Sequence, residues 1–218
     1  MEKRVSQSVV NRLPRYYRYL TELESSRIER ISSKDLSRKM NVTASQIRQD
    51  LNCFGGFGQQ GYGYNVKFLK DSIGKILGLE KGHTAILVGA GNMGRAFAMN
   101  TNFESRGFKL IGVFDSDPQK YGVKIGANTI MPYSQIKEFI KENDPQMAIL
   151  AVPKGVVNTV AEELMSCGIK VFMNFSHAEL SAEWDIEVEN VHLGDSLMRL
   201  SYKINEREMM AEDENAVG

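Results

Sequence analysis

The hydrophobic pattern divides the chain into two parts that are built differently. In residues 8–31, apolar side chains recur at helical spacing, and the intervening positions carry arginine: the stripe is Leu13, Tyr16, Tyr17, Leu20 and Leu23. Beyond residue 83, short apolar runs alternate with amphipathic segments of helical length, which is typical of a parallel sheet covered by helices. The pattern therefore predicts a helical N-terminal part and an α/β part with a doubly wound parallel sheet.

Residues 31–54 carry the punctuation of a helix-turn-helix. Ser33 or Ser32 is placed to cap a short helix over 34–40, a turn follows at 41–42, and Thr43 opens a second helix over 44–52. Polar side chains at the start of the second helix suit a major groove, where arginine pairs with guanine and glutamine with adenine. These side chains are Ser45, Gln46, Arg48 and Gln49.

A glycine-rich segment, FGGFGQQGYGYNV, occupies residues 54–66. Alternating aromatic and glycine residues predict a two-stranded ribbon with a tight tip, the wing of a winged helix. The alternative is a flexible linker, against which the four aromatic side chains count. An amphipathic helix over 67–79 and a domain boundary near 80–82 follow. Together with the second helix, we predict DNA contacts at Arg12, Gln59, Gln60, Gly61 and Tyr64.

Three glycines in TAILVGAGNMG, residues 84–94, have the spacing of a dinucleotide-binding turn. Gly89 makes the turn, Gly91 lets backbone N–H groups approach a pyrophosphate, and Gly94 lets helix and strand pack closely. The next strand ends in Asp115, about 20 residues further on, where an acid binds ribose hydroxyls and repels a 2′-phosphate. The pattern indicates NAD(H) rather than NADP(H); the alternative is an ordinary α/β glycine turn without a nucleotide.

Ligands of doubly wound sheets bind at the carboxyl ends of the strands. Later strands are predicted at MAILAVP, KVFMNF and DIEVENV, with helices over 134–143 and 155–168. Besides the three glycines and Asp115, we predict cofactor contacts at Ala90, Asn92, Met93, Ser116, Lys120, Val152, Pro153, Asn174 and Phe175.

A final amphipathic helix, DSLMRLSYKINEREMM, must pack on its own domain or on another subunit. The predicted organisation is therefore a winged-helix domain over 1–80, a Rossmann domain over 81–193, a C-terminal helix over 194–210 and a frayed tail over 211–218.

Composition adds one informative asymmetry to a formal net charge of zero. Residues 1–80 carry 14 Lys+Arg against 8 Asp+Glu, whereas the rest carries 13 against 19. This polarity suggests an anionic partner such as nucleic acid for the first part, although a solvated basic face is the alternative. Because neither a signal peptide nor a membrane-spanning run is evident, we expect a cytoplasmic protein. Cys53 and Cys167 are interpreted as reduced core residues.

The ordered motifs resemble the Rex family of bacterial redox-sensing transcriptional repressors from end to end. The matching stretches are RLPRYYRYL, ISSKDL, VTASQIRQDL, FGGFGQQGYGYNV, VGAGNMGRA, RGFKLIGVFDSDPQKYG, ILAVP, CGIKVFMNF and VENVHL. The resemblance implies a homodimer whose winged helices bind a pseudopalindromic operator, whose Rossmann domains bind NADH or NAD+, and whose C-terminal helices are exchanged. It also implies that the dimer closes when NADH is bound and then releases DNA.

The chain departs from the family's usual pattern at positions that bear on both activities. Gln49 follows Arg48 where the family usually has RKDL, and glutamines replace basic residues at the wing tip, so we expect weaker or altered operator binding. His192 stands where the family usually has an aspartate near the nicotinamide, which the resemblance pairs with an arginine, here Arg18, or a tyrosine, here Asn100. This implies a retuned discrimination between NADH and NAD+; a neutral surface histidine is the alternative.

Two other functions compete with a redox-responsive repressor. An NAD-dependent dehydrogenase needs a proton-transfer group and a substrate pocket, and His83, His177 and His192 have no acid partner at a telling spacing. We therefore predict no catalytic residue and no metal site. The other rival is a DNA-binding paralogue that has lost cofactor control, which the substitutions at residues 100 and 192 favour and the intact glycine turn opposes.

Overall fold

The computed structural model describes residues 5–55, 58–59, 62–99, 101–181 and 183–217. Two compact units divide the chain, residues 1–81 and residues 82–218. The first contains the helix-turn-helix segment, and the second contains the glycine turn and the parallel sheet.

The first unit consists of helices and a three-stranded ribbon. Its helices are α1 (Gln7–Val10), α2 (Leu13–Ser25), α3 (Ser33–Met40), α4 (Ala44–Asn52) and α5 (Val66–Ile76), and its strands are β1 (Arg30–Ile31), β2 (Gly58–Gln59) and β3 (Gly63–Asn65). The strands are antiparallel in the order β1-β3-β2. A helix-turn-helix followed by such a ribbon is a winged helix, so the predicted architecture is confirmed.

Side-chain caps and one left-handed residue set the ends of α3 and α4. The Ser32 hydroxyl accepts a hydrogen bond from the N–H of Asp35, and the Thr43 hydroxyl accepts one from the N–H of Gln46. Asn41 ends α3 with a φ of 51°, a conformation that asparagine tolerates better than most residues. The predicted caps and turn are confirmed, with Ser32 rather than Ser33 as the first cap.

The apolar stripe of α2 forms the centre of the first core. Leu13, Tyr16 and Leu20 are fully buried, whereas Tyr17 is only partly buried at the edge. Side chains of α3, α4 and α5 complete this core: Leu36, Met40, Ile47, Leu51, Leu69 and Ile73.

A buried carboxylate ties α4 to α2. Arg12 donates to both oxygens of Asp50, from Nε at 2.7 Å and from Nη2 at 2.8 Å. The Tyr16 hydroxyl and the Gln46 amide donate the remaining hydrogen bonds, at 2.8 and 2.7 Å. Burial alone raises the pKa of Asp50, but these hydrogen bonds outweigh it and hold the pKa below its usual value. Asp50 is therefore ionised and fixes the orientation of the second helix of the motif.

We predict that Asp50→Asn lowers the free energy of unfolding of the first unit by about 3 kcal/mol, because the partly buried Arg12 loses its counter-charge. Because the folded pKa of Asp50 lies below its unfolded value, the stabilisation is present above pH of about 4 and is lost as pH falls through the folded pKa. Asp50→Asn should remove that part of the acid sensitivity. Denaturation followed by far-ultraviolet circular dichroism at several pH values measures both effects.

The control is Asp71→Asn in the same unit, which removes a half-exposed partner of Lys70 and should cost less than about 0.5 kcal/mol. Equal losses in the two variants would contradict a special role for Asp50.

The second unit is built on a seven-stranded sheet in the order β10-β9-β8-β4-β5-β7-β6. Its strands are β4 (His83–Val88), β5 (Phe108–Asp115), β6 (Lys124–Ile125), β7 (Asn128–Pro132), β8 (Met147–Leu150), β9 (Val171–Asn174) and β10 (Glu187–Asn190), and its α-helices are α6 (Asn92–Ala98), α7 (Ile136–Asn143), α8 (Val157–Ser166) and α9 (Leu193–Val217). Short 3-10 helices occupy Thr101–Arg106, Pro118–Lys120 and Tyr133–Gln135. All pairs except β6–β7 are parallel, and the order is that of a Rossmann sheet. The predicted parallel sheet is therefore confirmed.

The hairpin of β6 and β7 was not among the predicted elements. Its strands are two and five residues long, and the second carries polar residues at Asn128 and Thr129, so it lacks a continuous apolar run. Gly126 turns the hairpin with a φ of 57°. Strand β7 nevertheless pairs with the end of β5, where Asp115 lies opposite Pro132.

Alternate residues of the central strand feed two cores. Ile86 and Val88 join one cluster with Phe114 and Phe172, while Ala85 and Leu87 join another on the opposite face. Burial on both faces explains why β4 is apolar at four consecutive positions. Cys167 packs at the edge of the cluster that contains Ile86 and Val88. Cys53 in the first unit is exposed, so the prediction that Cys53 is a core residue is wrong.

Helix α9 keeps its apolar side chains in solvent. Leu197, Leu200 and Ile204 remain 67%, 54% and 56% exposed, so the described stripe is not buried against its own unit. The helix continues to Val217, through much of the segment that the sequence predicts to be frayed. Among the described residues, none of the helices combines the length and apolarity needed to cross a bilayer.

Candidate functional site

The exposed face of α4 is the candidate nucleic-acid interface. Ser45, Arg48 and Gln49 are exposed near its start. Arg48 donates from Nη1 to the Ser33 hydroxyl at 3.1 Å, which steadies its guanidinium beside the start of α3. Gln46 is partly buried because its amide is bonded to Asp50. Three of the four predicted residues on this helix are therefore open to a groove.

The same carboxylate engages Arg12, whose predicted role was a DNA contact. Its side chain is 27% exposed and its guanidinium is paired with Asp50, so its main task in this unit is to hold α4 in place. Sequence reasoning missed this role because Arg12 and Asp50 are 38 residues apart.

The ribbon contains the other predicted DNA contacts. Tyr64 is 8% exposed and belongs to the first core, which differs from its predicted surface role. Gln59 lies at the end of β2, and Gln60 and Gly61 lie outside the described residues. Arg30, which sequence reasoning passed over, is exposed on β1 and donates to the carbonyl of Tyr62 at 3.3 Å. Its signal in the sequence was a cation close before the helix-turn-helix segment.

A backbone collision determines the shape of the glycine turn. A Cβ at Gly94 would overlap the carbonyl oxygen of Gly89, so only glycine allows α6 to start this close to the end of β4. At Gly91, by contrast, a Cβ would meet no protein atom within 4 Å and φ is −74°, so the fold itself does not require glycine there. A requirement for glycine at Gly91 would have to come from a ligand that approaches the backbone.

Asp115 ends β5 beside this turn and is 7% exposed. Its Oδ2 accepts hydrogen bonds from the N–H of Ala90 at 2.7 Å and from Lys120 Nζ at 3.0 Å, and its Oδ1 accepts one from the N–H of Asp117 at 2.9 Å. Burial alone raises the pKa of Asp115, but these bonds outweigh it and lower the pKa below its usual value. A carboxylate accepts about four hydrogen bonds and the described residues donate three, so among them the ionised group keeps acceptor capacity for a ligand hydroxyl.

A crevice of about 630 Å³ opens over the glycine turn. It brings together ten of the residues predicted to contact the cofactor: Gly89, Gly91, Asn92, Met93, Asp115, Ser116, Lys120, Val152, Pro153 and Phe175. The predicted contacts Ala90, Gly94, Asn174 and His192 are not part of its lining. Ala90 and Gly94 instead shape the turn from behind, through the hydrogen bond to Asp115 and the close approach to Gly89.

One wall of the crevice was not anticipated. Tyr133, Val156 and Val160 line it, and the Tyr133 hydroxyl donates to Glu163 Oε2 at 2.7 Å. Burial, followed by this hydrogen bond, raises the pKa of Tyr133, so the phenol stays protonated. Lys137 completes the group at 3.1 Å from Glu163. The wall is thus apolar, with the Tyr133 hydroxyl committed to a neighbour. Tyr133 follows the β7 strand that the sequence did not reveal, whereas Val156 and Val160 belong to the start of α8.

Two predicted cofactor contacts do not line the crevice. Asn174 is fully buried, and its side chain is bonded to other parts of the protein. His192 is partly buried after β10, two residues beyond Asn190. Asn100, with which the family resemblance connects His192, lies outside the described residues. Among the residues that are described, no cluster of three or more side chains is suited to hold a metal ion.

The two glycines of the turn provide a matched pair of variants. We predict that Gly94→Ala lowers the free energy of unfolding of the second unit by about 1–3 kcal/mol, because the added Cβ forces backbone atoms apart. Gly91→Ala should leave stability within about 0.5 kcal/mol and weaken NADH binding at least about tenfold. Trp184 is the single tryptophan of the chain, so its fluorescence follows unfolding of the second unit alone.

Calorimetric titration with NADH measures the second part of this prediction. Normal NADH affinity in Gly91→Ala would show that no ligand approaches the backbone at this residue.

Comparisons with known proteins agree with this two-part arrangement. Residues 4–52 match the family described as a putative DNA-binding protein N-terminus, and residues 80–178 match the family described as a CoA binding domain. A redox-sensing transcriptional repressor Rex of Clostridium perfringens (strain SM101) is 50% identical over 211 residues, which cover 96% of this chain and 100% of that protein. The repressor of the same name from Caldanaerobacter subterraneus subsp. tengcongensis is 52% identical over 205 residues, 94% of this chain and 92% of the other.

Solved structures of a protein named RSP are similar along nearly the full length. The structure of RSP with β-NAD+ and operator DNA has a TM-score of 0.88 and 49% identity, and it covers 96% of this chain and 97% of the other. The structure with β-NADH has a TM-score of 0.88 and 46% identity, with coverage of 96% and 99%. RSP is itself described as a Rex-family repressor. Since this similarity to named repressors extends across both units, the chain belongs to the Rex family of redox-sensing transcriptional repressors.

Proposed function

We propose that this protein represses transcription by binding operator DNA through its winged helix and releases the operator when NADH is bound. The main observation behind the proposal is the ionised, buried Asp115 beside the glycine turn. The same chain contains α4, the second helix of the helix-turn-helix, with an exposed polar face. The similar protein RSP has been solved with β-NAD+ and operator DNA and with β-NADH, which supports both halves of the proposal. We place the protein in the cytoplasm, as expected for a regulator of bacterial operators.

The crevice suits an NAD(H) ligand in three respects. The turn leaves backbone space at Gly91 for a pyrophosphate. Asp115 keeps acceptor capacity for a ribose hydroxyl, and its negative charge disfavours the 2′-phosphate of NADP(H). The wall of Tyr133, Val156 and Val160 offers apolar surface to a planar base. Lys120 does not reverse this preference, because its ammonium is paired with Asp115.

DNA readout rests on few side chains. Ser45, Arg48 and Gln49 are exposed on α4, and Arg48 is the cation among them. Arginine recognises guanine through two hydrogen bonds in the major groove, while the wing adds backbone contacts. Gln49 and the glutamines of the wing tip stand where the family usually has basic residues. This protein therefore neutralises fewer DNA phosphates than the usual family pattern would, and its operator affinity depends less steeply on salt.

The active form is a homodimer in this proposal. The exposed stripe of α9 needs an apolar partner, and the resemblance to the family supplies one through exchange of this helix between subunits. Two joined winged helices then read the two halves of a pseudopalindrome. Regulation requires only that NADH bind the closed dimer more tightly than the form that fits DNA, and no covalent step is involved.

The enzyme alternative has little support. The relatives that cover almost the whole chain are named as repressors. The second candidate function is a DNA-binding paralogue without cofactor control, which is favoured by His192 in place of the carboxylate that the resemblance implies near the nicotinamide.

An operator titration with NADH and NAD+ in parallel tests the proposal. We expect NADH to weaken operator binding, NAD+ to leave it largely intact, and coenzyme A, which the family description over residues 80–178 suggests as a control ligand, to have no effect. Indifference to both dinucleotides would favour the uncoupled paralogue, and turnover of a substrate would favour the enzyme.

A second prediction concerns the strength of discrimination. We expect the NADH preference over NAD+ to be less than several hundredfold and His192→Asp to shift it, because a carboxylate interacts differently with the cationic nicotinamide of NAD+ and the neutral nicotinamide of NADH. Calorimetry with each dinucleotide measures the ratio. A preference of several hundredfold or more in the unchanged protein would show that His192 does not blunt the response.

A further inference from the structure

Asn174 occupies an unusual position at the end of β9. It is 0% exposed, and all the hydrogen-bonding atoms of its amide have partners. Nδ2 donates to the Ala178 carbonyl at 2.7 Å and to Asn190 Oδ1 at 2.8 Å, and Oδ1 accepts from the N–H of Ser176 at 2.9 Å. A side chain used in this way is a connector between segments of the protein.

The end of β10 is attached to this residue twice. Asn174 and Asn190 form the last register pair of the two parallel strands, and their side chains are hydrogen bonded. In addition, the carbonyl oxygen of Asn174 accepts the N–H of Val191 at 2.8 Å. The segment that leaves β10 therefore follows the position of Asn174 through both a backbone and a side-chain contact.

Asn174 also adjoins the crevice. The next residue, Phe175, lines the crevice, and its ring meets the edge of Phe97 on α6 with a centroid separation of 5.5 Å. Phe97 in turn stacks on Phe103 at 4.1 Å. A displacement of the crevice wall at Phe175 thus occurs one residue away from the connector.

On the other side, the connector lies close to the start of α9. Only Val191 and His192 separate Asn190 from Leu193, the first residue of that helix. If the two strand ends moved apart, the Asn174–Asn190 hydrogen bond would break and one N–H of the buried Asn174 amide would lose its partner, which costs free energy. The ends of the two strands therefore move together more readily than apart.

We propose that Asn174 is a positioning residue that couples the occupancy of the crevice to the start of α9 through Asn190. The inference rests on the proposed function and deepens it: the winged helices are released because a shift at Phe175 is passed along this connection to the helix that joins the subunits. Asn174 itself is fully buried and does not line the crevice.

The test is made at Asn190, which is exposed and tolerates substitution better than the buried Asn174. Asn190→Ala removes the acceptor but leaves Asn174 its bonds to Ala178 and Ser176, whereas Asn190→Asp keeps an acceptor oxygen. Glu189→Ala, an exposed change on the same strand, is the matched control. Operator affinity is measured with and without saturating NADH, and the ratio of the two dissociation constants is the coupling factor.

Asn190→Ala should reduce the coupling factor about threefold to tenfold, the value of one hydrogen bond. Its NADH affinity without DNA and its operator affinity without cofactor should both stay within about twofold of the unchanged protein. Asn190→Asp and Glu189→Ala should retain the coupling factor. A coupling factor that survives in Asn190→Ala, with only the thermal stability reduced, would overturn the proposal and leave Asn174 a structural role.

Hydrogen exchange separates this inference from the proposed function. On addition of NADH without DNA, peptides that contain Val191 and Leu193 should change their exchange rate in the wild-type protein and in Asn190→Asp, and should change it less in Asn190→Ala. If NADH binds to the wild-type protein yet fails to release operator, the proposed function is contradicted, and the exchange experiment alone then tests the connection between Asn174 and Asn190. An exchange change of undiminished size in Asn190→Ala would overturn the proposed connection.

Discussion

The carbonyl oxygen of Gly89 leaves no space for a side chain on Gly94, and this contact fixes how α6 leaves the end of β4. Because the helix begins so close to the strand, the glycine turn lies within hydrogen-bonding reach of the end of β5, where the N–H of Ala90 meets Asp115. The sheet does not depend on this contact, because its strands are held by their own hydrogen bonds. The crevice does depend on it, because the turn forms the floor of the crevice and holds the Asp115 carboxylate that gives it negative charge.

Two buried aspartates show how similar chemistry serves different ends. Asp50 accepts four hydrogen bonds from Arg12, Tyr16 and Gln46, which fill its capacity and fix α4 on α2. Asp115 accepts three from the residues that the structure describes and faces a crevice, so with respect to these residues it retains capacity for a ligand. Both are ionised because donors surround them. The unfilled acceptor position is what distinguishes a binding carboxylate from a purely structural one.

Local rules in the sequence predicted most of the elements, and long-range pairing explains what was missed. The caps at Ser32 and Thr43 act over three residues, and the glycine turn spans six, so both are visible in the chain itself. The hydrogen bond from Gln46 to the Asp50 carboxylate depends on tertiary packing around that carboxylate, and the spacing of polar and apolar residues in the sequence does not predict it. The wall around Tyr133 was missed because it follows a short strand with a mixed pattern. The end of α9 was predicted at residue 210, too early, because the acidic and polar residues that follow favour contact with solvent but are compatible with a helix.

Strand β10 lies at an edge of the seven-stranded sheet, and the acidic side chains of Glu187 and Glu189 are exposed along it. An edge strand offers unpaired backbone groups to any other extended chain, and natural proteins commonly discourage such pairing with charge. Two copies of β10 laid side by side would bring like charges together. Continuous sheets that would join molecules through β10 are thereby disfavoured.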